Sequence, residues 1–150
     1  MAQIKTEGLD ELMLSMKEAA ELPDDVAEEM LQAAAGPVAR TQKRNYQTAF
    51  SNHPDFETGK VARSIKISRM KRKRSGDERY VTIYPQGTHH TYANGKKATN
   101  AEVAFVHEYG ADKKGIAAKQ IMRKSVEQSA DEAIAAEFDV YDRFLSQHNL

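Results

Sequence analysis

Cysteine is absent from all 150 residues, and with it go disulfides, thiolate zinc sites and cysteine nucleophiles. Aromatic side chains are scarce, 7% of residues against 40% hydrophobic in total, so the expected core is aliphatic, methionine-rich and thin. Such a core invites help from neighbouring subunits. Long apolar runs are missing too: no stretch approaches the roughly 20 residues that a membrane-spanning helix needs. The opening MAQIKTEGLDEL lacks the unbroken apolar core of a signal peptide. These absences point to a soluble intracellular product without a membrane partner. Lys+Arg and Asp+Glu both number 22, which removes any whole-molecule attraction to nucleic acid.

Catalytic signatures are equally sparse. There is no Gly-x-Ser-x-Gly elbow, no glycine-rich phosphate loop and no carboxylate pair at a recognisable catalytic spacing. His89 and His90 are adjacent, which on a strand sends them to opposite faces and makes shared ligation of one ion awkward. His107-Glu108 is not the start of a His-Glu-x-x-His motif, because Gly110 and then Ala111 stand where the second histidine should fall. The expectation is a protein without catalytic residues, metal or cofactor.

What the chain does have is charge sorted into segments. Nine carboxylates against the single cation Lys17 lie between Glu7 and Glu29, and the stretch from Lys60 to Arg79 is strongly basic. Length suits one domain over residues 1–150 that buries roughly two thirds of its unfolded surface.

Leu9, Leu12, Met13, Met16 and Ala20 recur at helical spacing, predicting a short amphipathic helix that Pro23 interrupts. A second, longer helix follows from Asp24, with Val26, Met30, Ala33, Ala34, Val38 and Thr41 as its apolar stripe and a kink expected before Pro37. Ser51–Asp55 is turn composition, and Thr58-Gly59 closes that loop. The period then changes to two: Ser64–Ser68 and Tyr80–Tyr84 read as strands of a hairpin arm over about 64–84, with Gly76 in its turn. Its tip carries Lys71, Arg72, Lys73 and Arg74. A further strand is expected within Thr88–Ala93, before the tight turn Asn94-Gly95. Thr99 and Glu102 fit a capping box. The segment 102–109 that follows reads as a helix ending at Gly110, or as a strand in which Val103 and Phe105 alternate. A last helix spans about 117–147, with Met122, Val126, Ala130, Ile134, Phe138, Tyr141 and Phe144 in its stripe. The fold class is α+β: a small antiparallel β-sheet with a long hairpin, packed against two N-terminal helices and a long C-terminal helix.

Two polar features merit functional weight. The run Lys71–Arg74 suits sequence-independent contact with phosphates, the neighbouring acidic helix of another subunit, or nothing beyond a solvated tip. Glu108, Tyr109, Gly110, Lys113 and Lys114 form a polar bend between two apolar segments. There Glu108 is expected to accept bonds from the loop amides of Ala111 to Lys114 or to pair with a neighbour's cation.

Three patterns occur in order. Thr58-Gly59-Lys60-Val61-Ala62-Arg63-Ser64-Ile65 resembles a Thr-Gly-x-Leu-x-x-Ser-Ile segment. Ala104–Gly110 resembles an apolar-apolar-x-Glu-aromatic-Gly segment, and Ala117–Ser125 stands where a Pro-aromatic-Leu/Met-Arg-x-Ala segment opens a final helix. All three belong to the head–tail joining, neck or tail-completion proteins of long-tailed bacteriophages, and the resemblance runs from about Leu9 to Phe144. Ala111 replaces the usual Thr, and Gln120-Ile121 replaces Pro-aromatic.

The resemblance implies a non-catalytic virion protein of the neck or tail, made in the host cytoplasm. It implies a subunit of a homo-oligomeric ring, often a hexamer, around the DNA channel. Its partners would be other neck and tail-tube proteins, with non-specific contact to passing DNA. The five bend residues would then touch subunits or partners, and the basic tip would face DNA or a neighbour. The alternative is a small nucleic-acid-binding module using 71–74.

Overall fold

The structure is a computed structural model that describes residues 22–50, 58–76 and 78–148. The expected helix at Leu9–Leu22, apart from Leu22 itself, and the turn Ser51–Asp55 lie outside the described residues. Among the described residues the architecture is α+β: helix α1 (Asp24–Ala49), a short helix α2 (Thr58–Ser64), six short strands, helix α3 (Asn100–Tyr109), a 3-10 turn (Asp112–Lys114) and helix α4 (Ile121–Gln147).

The long helices α1 and α4 lie antiparallel, since Glu29 pairs with Arg143 at 2.9 Å and Arg40 with Glu132 at 2.6 Å. Small residues line their contact: Ala27, Ala35 and Ala39 on α1, Ser125 and Ser129 on α4, all buried. The buried serines donate to carbonyls one turn back, Ser125 Oγ to Ile121 O and Ser129 Oγ to Ser125 O, both at 2.6 Å. Each hydroxyl is thus satisfied inside its own helix. Alanines rather than the larger Val26 and Met30 occupy the buried side of α1, so its buried face is displaced from the expected stripe. The helix continues through Pro37, which is buried.

Helix α2 corrects the expectation of a loop at Thr58-Gly59. Its Val61 and Ala62 are 0% and 1% exposed and fill the core beside Tyr46, Phe50, Ile65 and Ala104. In place of one continuous sheet, the described residues form three two-stranded antiparallel ladders. Strands β1 (Ile65–Ile67) and β4 (Ile83–Pro85) pair at the base of the hairpin arm, β2 (Lys71–Arg72) and β3 (Arg79–Tyr80) nearer its tip. The ladder breaks between them, where the Ser68 hydroxyl takes the amide of Thr82 at 2.9 Å. Pro85, having no amide, sits at the end of β4. Strands β5 (Thr88–Thr91) and β6 (Lys97–Thr99) flank the Asn94-Gly95 turn, where Gly95 adopts φ +79°.

Candidate functional site

Helix α3 is held at its start by two devices. The capping box is complete: Glu102 N donates to Thr99 Oγ1 at 3.1 Å, and Thr99 N donates to Glu102 Oε2 at 2.7 Å. The Thr99 amide, and then the Thr99 hydroxyl at 3.1 Å, donate to the ionised Glu102 carboxylate and lower its pKa. The buried Asn100 then ties the helix to the strands. Its Nδ2 donates to Gln86 O at 2.7 Å, its Oδ1 lies 3.1 Å from His89 Nδ1, and its backbone amide donates to Gly87 O. The segment 102–109 is therefore a helix, not the strand that Val103 and Phe105 also allowed.

The far end of α3 forms a reciprocal joint with α4. A helix leaves carbonyls unpaired at its C-terminus and amides unpaired at its N-terminus. At this joint each end meets the other's need. Lys119 N donates to His107 O at 2.8 Å and Gln120 N to Glu108 O at 3.3 Å, while Gly110 N closes on Val106 O. In return the Glu108 carboxylate accepts the first amides of α4, Met122 N at 2.7 Å and Arg123 N at 3.1 Å. A carboxylate at that position also meets the positive end of the α4 dipole. Glu108 thus does the work of an N-cap side chain, because Gln120 makes no side-chain cap bond. The expected bonds to the amides of Ala111–Lys114 do not form; Ala111 N donates instead to Ile116 O at 2.8 Å and Lys114 N to Ala111 O at 2.9 Å.

Because residues 117–120 are drawn to the end of α3, α4 opens at Ile121 and not near Ala117. Gln120 takes φ +50° to make the entry, a value closed to proline. The departure from proline at this position fits the backbone seen here. Gly110 has φ +79° and ψ 176°, a conformation that is essentially glycine's alone. A Cβ there would also sit 2.8 Å from Ile116 O and 2.9 Å from Ala118 N.

Under the joint lie two buried titratable groups. His107 packs edge-on against Phe50 at 4.4 Å. Burial, then the charges of Lys119 and His89, push its pKa down. Tyr46 is fully buried, and burial with the negative field of Glu108 pushes its phenol well above the ordinary range.

The five bend residues therefore divide. Glu108 faces inward and is 7% exposed. Tyr109 is 69% exposed and pairs with Phe105, 62% exposed, at a ring separation of 4.7 Å. Phe105 went unnoticed among the sequence candidates, although its i,i+4 spacing from Tyr109 on a helix was the available signal. Lys113 and Lys114 are exposed on the 3-10 turn, Lys114 beside an open groove of about 470 Å³ that Lys96, Lys97, Val103 and Val106 also line.

The basic tip lies far from this joint in the chain's architecture and is bound to the start of α1. Arg72 pairs with Asp24, Arg79 reaches the same carboxylate at 3.0 Å and donates to Leu22 O at 2.7 Å, and Met70 N donates to Glu28 Oε1 at 3.2 Å. The basic arm meets an acidic helix of its own chain. Lys73 pairs with Glu78 within the hairpin at 2.9 Å. Lys71 and Arg74 are exposed and form no ion pair with another described residue.

Among the described residues no group of three or more His, Asp or Glu side chains could hold a metal ion, and no helix is long and apolar enough to cross a membrane. The site these elements define is a rigid helix-to-helix joint carrying an exposed aromatic pair, on an α+β subunit. Residues 10–94 match the family described as "Bacteriophage HK97-gp10, putative tail-component", and the chain belongs to that family. No curated protein and no solved structure matches the chain.

Proposed function

We propose that the protein is a structural virion subunit of the phage neck, which joins or completes the tail at the head–tail interface as part of an oligomeric ring around the DNA channel. A hexamer is the expected ring. Beyond family membership, the observation that carries this reading is the exposed Phe105–Tyr109 pair on a helix fixed at both ends. Aromatic anchors on a preorganised support are the make-up of a lasting protein interface. The ring acts as an adaptor: other copies close it, neck and tail-tube proteins bind its faces, and DNA passes with non-specific contact only. It needs neither catalysis nor a cofactor, and the protein acts in the virion after synthesis in the bacterial host.

The alternative, a nucleic-acid-binding module at Lys71–Arg74, draws support from the exposed Lys71 and Arg74. It is weakened because Arg72 and Lys73 already face carboxylates. Native mass spectrometry separates the readings. A closed oligomer is expected for the wild type and monomers for Phe105→Ser/Tyr109→Ser, with assembly unaffected when 71–74 become serine. A wild type that stays monomeric at high concentration and does not associate with tail tubes overturns the proposal.

A further inference from the structure

Helix α4 buries Ser125, Ser129, Val140 and Phe144 and leaves a second apolar face in solvent. Ile134 and Phe138, one turn apart on that face, are 53% and 58% exposed. Around them the stretch Asp131–Asp142 carries five carboxylates and no cation. Asp131 precedes Ile134 by three residues, Glu137 follows it by three, and Asp142 follows Phe138 by four, spacings that set these carboxylates along the edges of the apolar pair. None of the three forms an ion pair with another described residue. Large exposed apolar side chains inside a rim of one sign mark a face for a partner of the opposite sign.

The same chain carries the complementary surface. The open groove of about 470 Å³ beside α3 is lined by the apolar Val103, Val106 and Ile116 and by three cations, Lys96, Lys97 and Lys114. The lysines are exposed and form no ion pair with another described residue, and the carboxylate of Glu102, which also lines the groove, is already bonded to Thr99. Val103 and Val106 stand on α3, which is fixed at both ends, so the groove is preorganised. A phosphate chain would meet the lysines and leave the valines unmatched, whereas Ile134 and Phe138 with their carboxylate rim match both. Ile134 lies about 20 Å along α4 from Ile121, so within one chain the two surfaces stand apart.

We propose that the groove of one copy receives the Ile134–Phe138 face of α4 from a second copy of this chain. Ile134 and Phe138 pack on Val103, Val106 and Ile116, while Asp131, Glu137 and Asp142 face Lys96, Lys97 and Lys114. Because the two surfaces differ, the contact is heterologous and repeats from copy to copy until a ring closes. This contact presupposes the oligomer proposed above and names the surfaces that build it.

Two variants of the full chain test the contact by native mass spectrometry, Lys96→Glu/Lys97→Glu in the groove and Ile134→Ser/Phe138→Ser on α4. Each is expected to need a protein concentration higher by roughly tenfold or more to assemble. A wild type that stays monomeric overturns the ring and this contact together. A wild type that assembles, with either variant assembling equally well, overturns this contact alone. Unchanged assembly of Lys96→Glu/Lys97→Glu with loss of affinity for duplex DNA assigns the groove to phosphate and likewise overturns it. The natural absence of cysteine gives a second readout. Copies carrying Phe138→Cys, mixed with copies carrying Lys97→Cys and treated with a short bismaleimide, are expected to link at dimer mass, and Phe138→Cys copies alone or mixed with Lys73→Cys copies are not. Absence of the mixed linkage, linkage of Phe138→Cys copies to one another, or equal linkage to the Lys73→Cys copies overturns the proposal.

Discussion

The α3–α4 joint and the hairpin arm both place charged side chains against the end of a helix, yet they use charge in different ways. At the joint the buried Glu108 carboxylate accepts two backbone amides at 2.7 and 3.1 Å. On the arm Arg72 and Arg79 meet Asp24, whose side chain is 55% exposed. A buried charge bonded to amides that have no other partner is hard to replace. An exposed ion pair is screened by water and salt and contributes little. The joint is therefore structure. The arm is held to α1 by contacts that water and salt screen.

Substitutions can break this contrast, the largest effects falling at the joint. Gly110→Ala is expected to destabilise by about 3 kcal/mol or more, combining a glycine-only backbone conformation with contact against two backbone atoms. Urea unfolding measures it. Glu108→Ala should cost about 2–3 kcal/mol, the sum of a lost cap and two amides left without an acceptor. An effect on assembly alone, with stability unchanged, would instead return Glu108 to the role of a partner contact.

Beneath the joint the effects are smaller. The folded-state pKa of His107 lies below the ordinary imidazole value, through burial first and then Lys119 and His89. The unfolded chain therefore binds the proton more readily. The stabilising contribution is fully present above about pH 6.5 and falls as pH drops below that value, by at most about 1.4 kcal/mol per pH unit. His107→Gln should flatten that slope in unfolding measured from pH 7 to pH 5. The Tyr46 hydroxyl is buried without a hydrogen-bond partner among the described residues, so Tyr46→Phe should stabilise by about 1 kcal/mol. Smallest is the arm: Asp24→Asn should change stability by no more than about 0.5 kcal/mol, and by less at high salt.

The same contrast explains what could be read from the sequence. The Thr99/Glu102 capping box was legible because both partners lie three residues apart. The cap on α4 was not, because its acceptor is 14 residues before Met122 and on another helix. Short-range chemistry is visible in a string of residues, whereas a joint formed by the ends of two helices exists only in space. The stripe on α4 was recognised as helical, but its periodicity did not separate the face that meets α1 from the one left exposed at Ile134 and Phe138. Alternation at Tyr80–Tyr84 predicted one strand. The Ser68 hydroxyl, by taking the Thr82 amide, divides it into β3 and β4. The helix at Thr58–Ser64 was hidden behind a Thr-Gly pair of loop composition. Its place in the core comes from Val61 and Ala62, which a seven-residue helix is too short to announce by period.

Amide hydrogen exchange at Met122 and Arg123 tests the joint most directly. First-turn amides of a helix ordinarily lack intrahelical partners and exchange fast. Slow exchange at both positions in the wild type, abolished in Glu108→Ala while the amides of Ser129 to Val140 stay protected, is the expected result. Fast exchange of both amides in the wild type would contradict the capping role of Glu108.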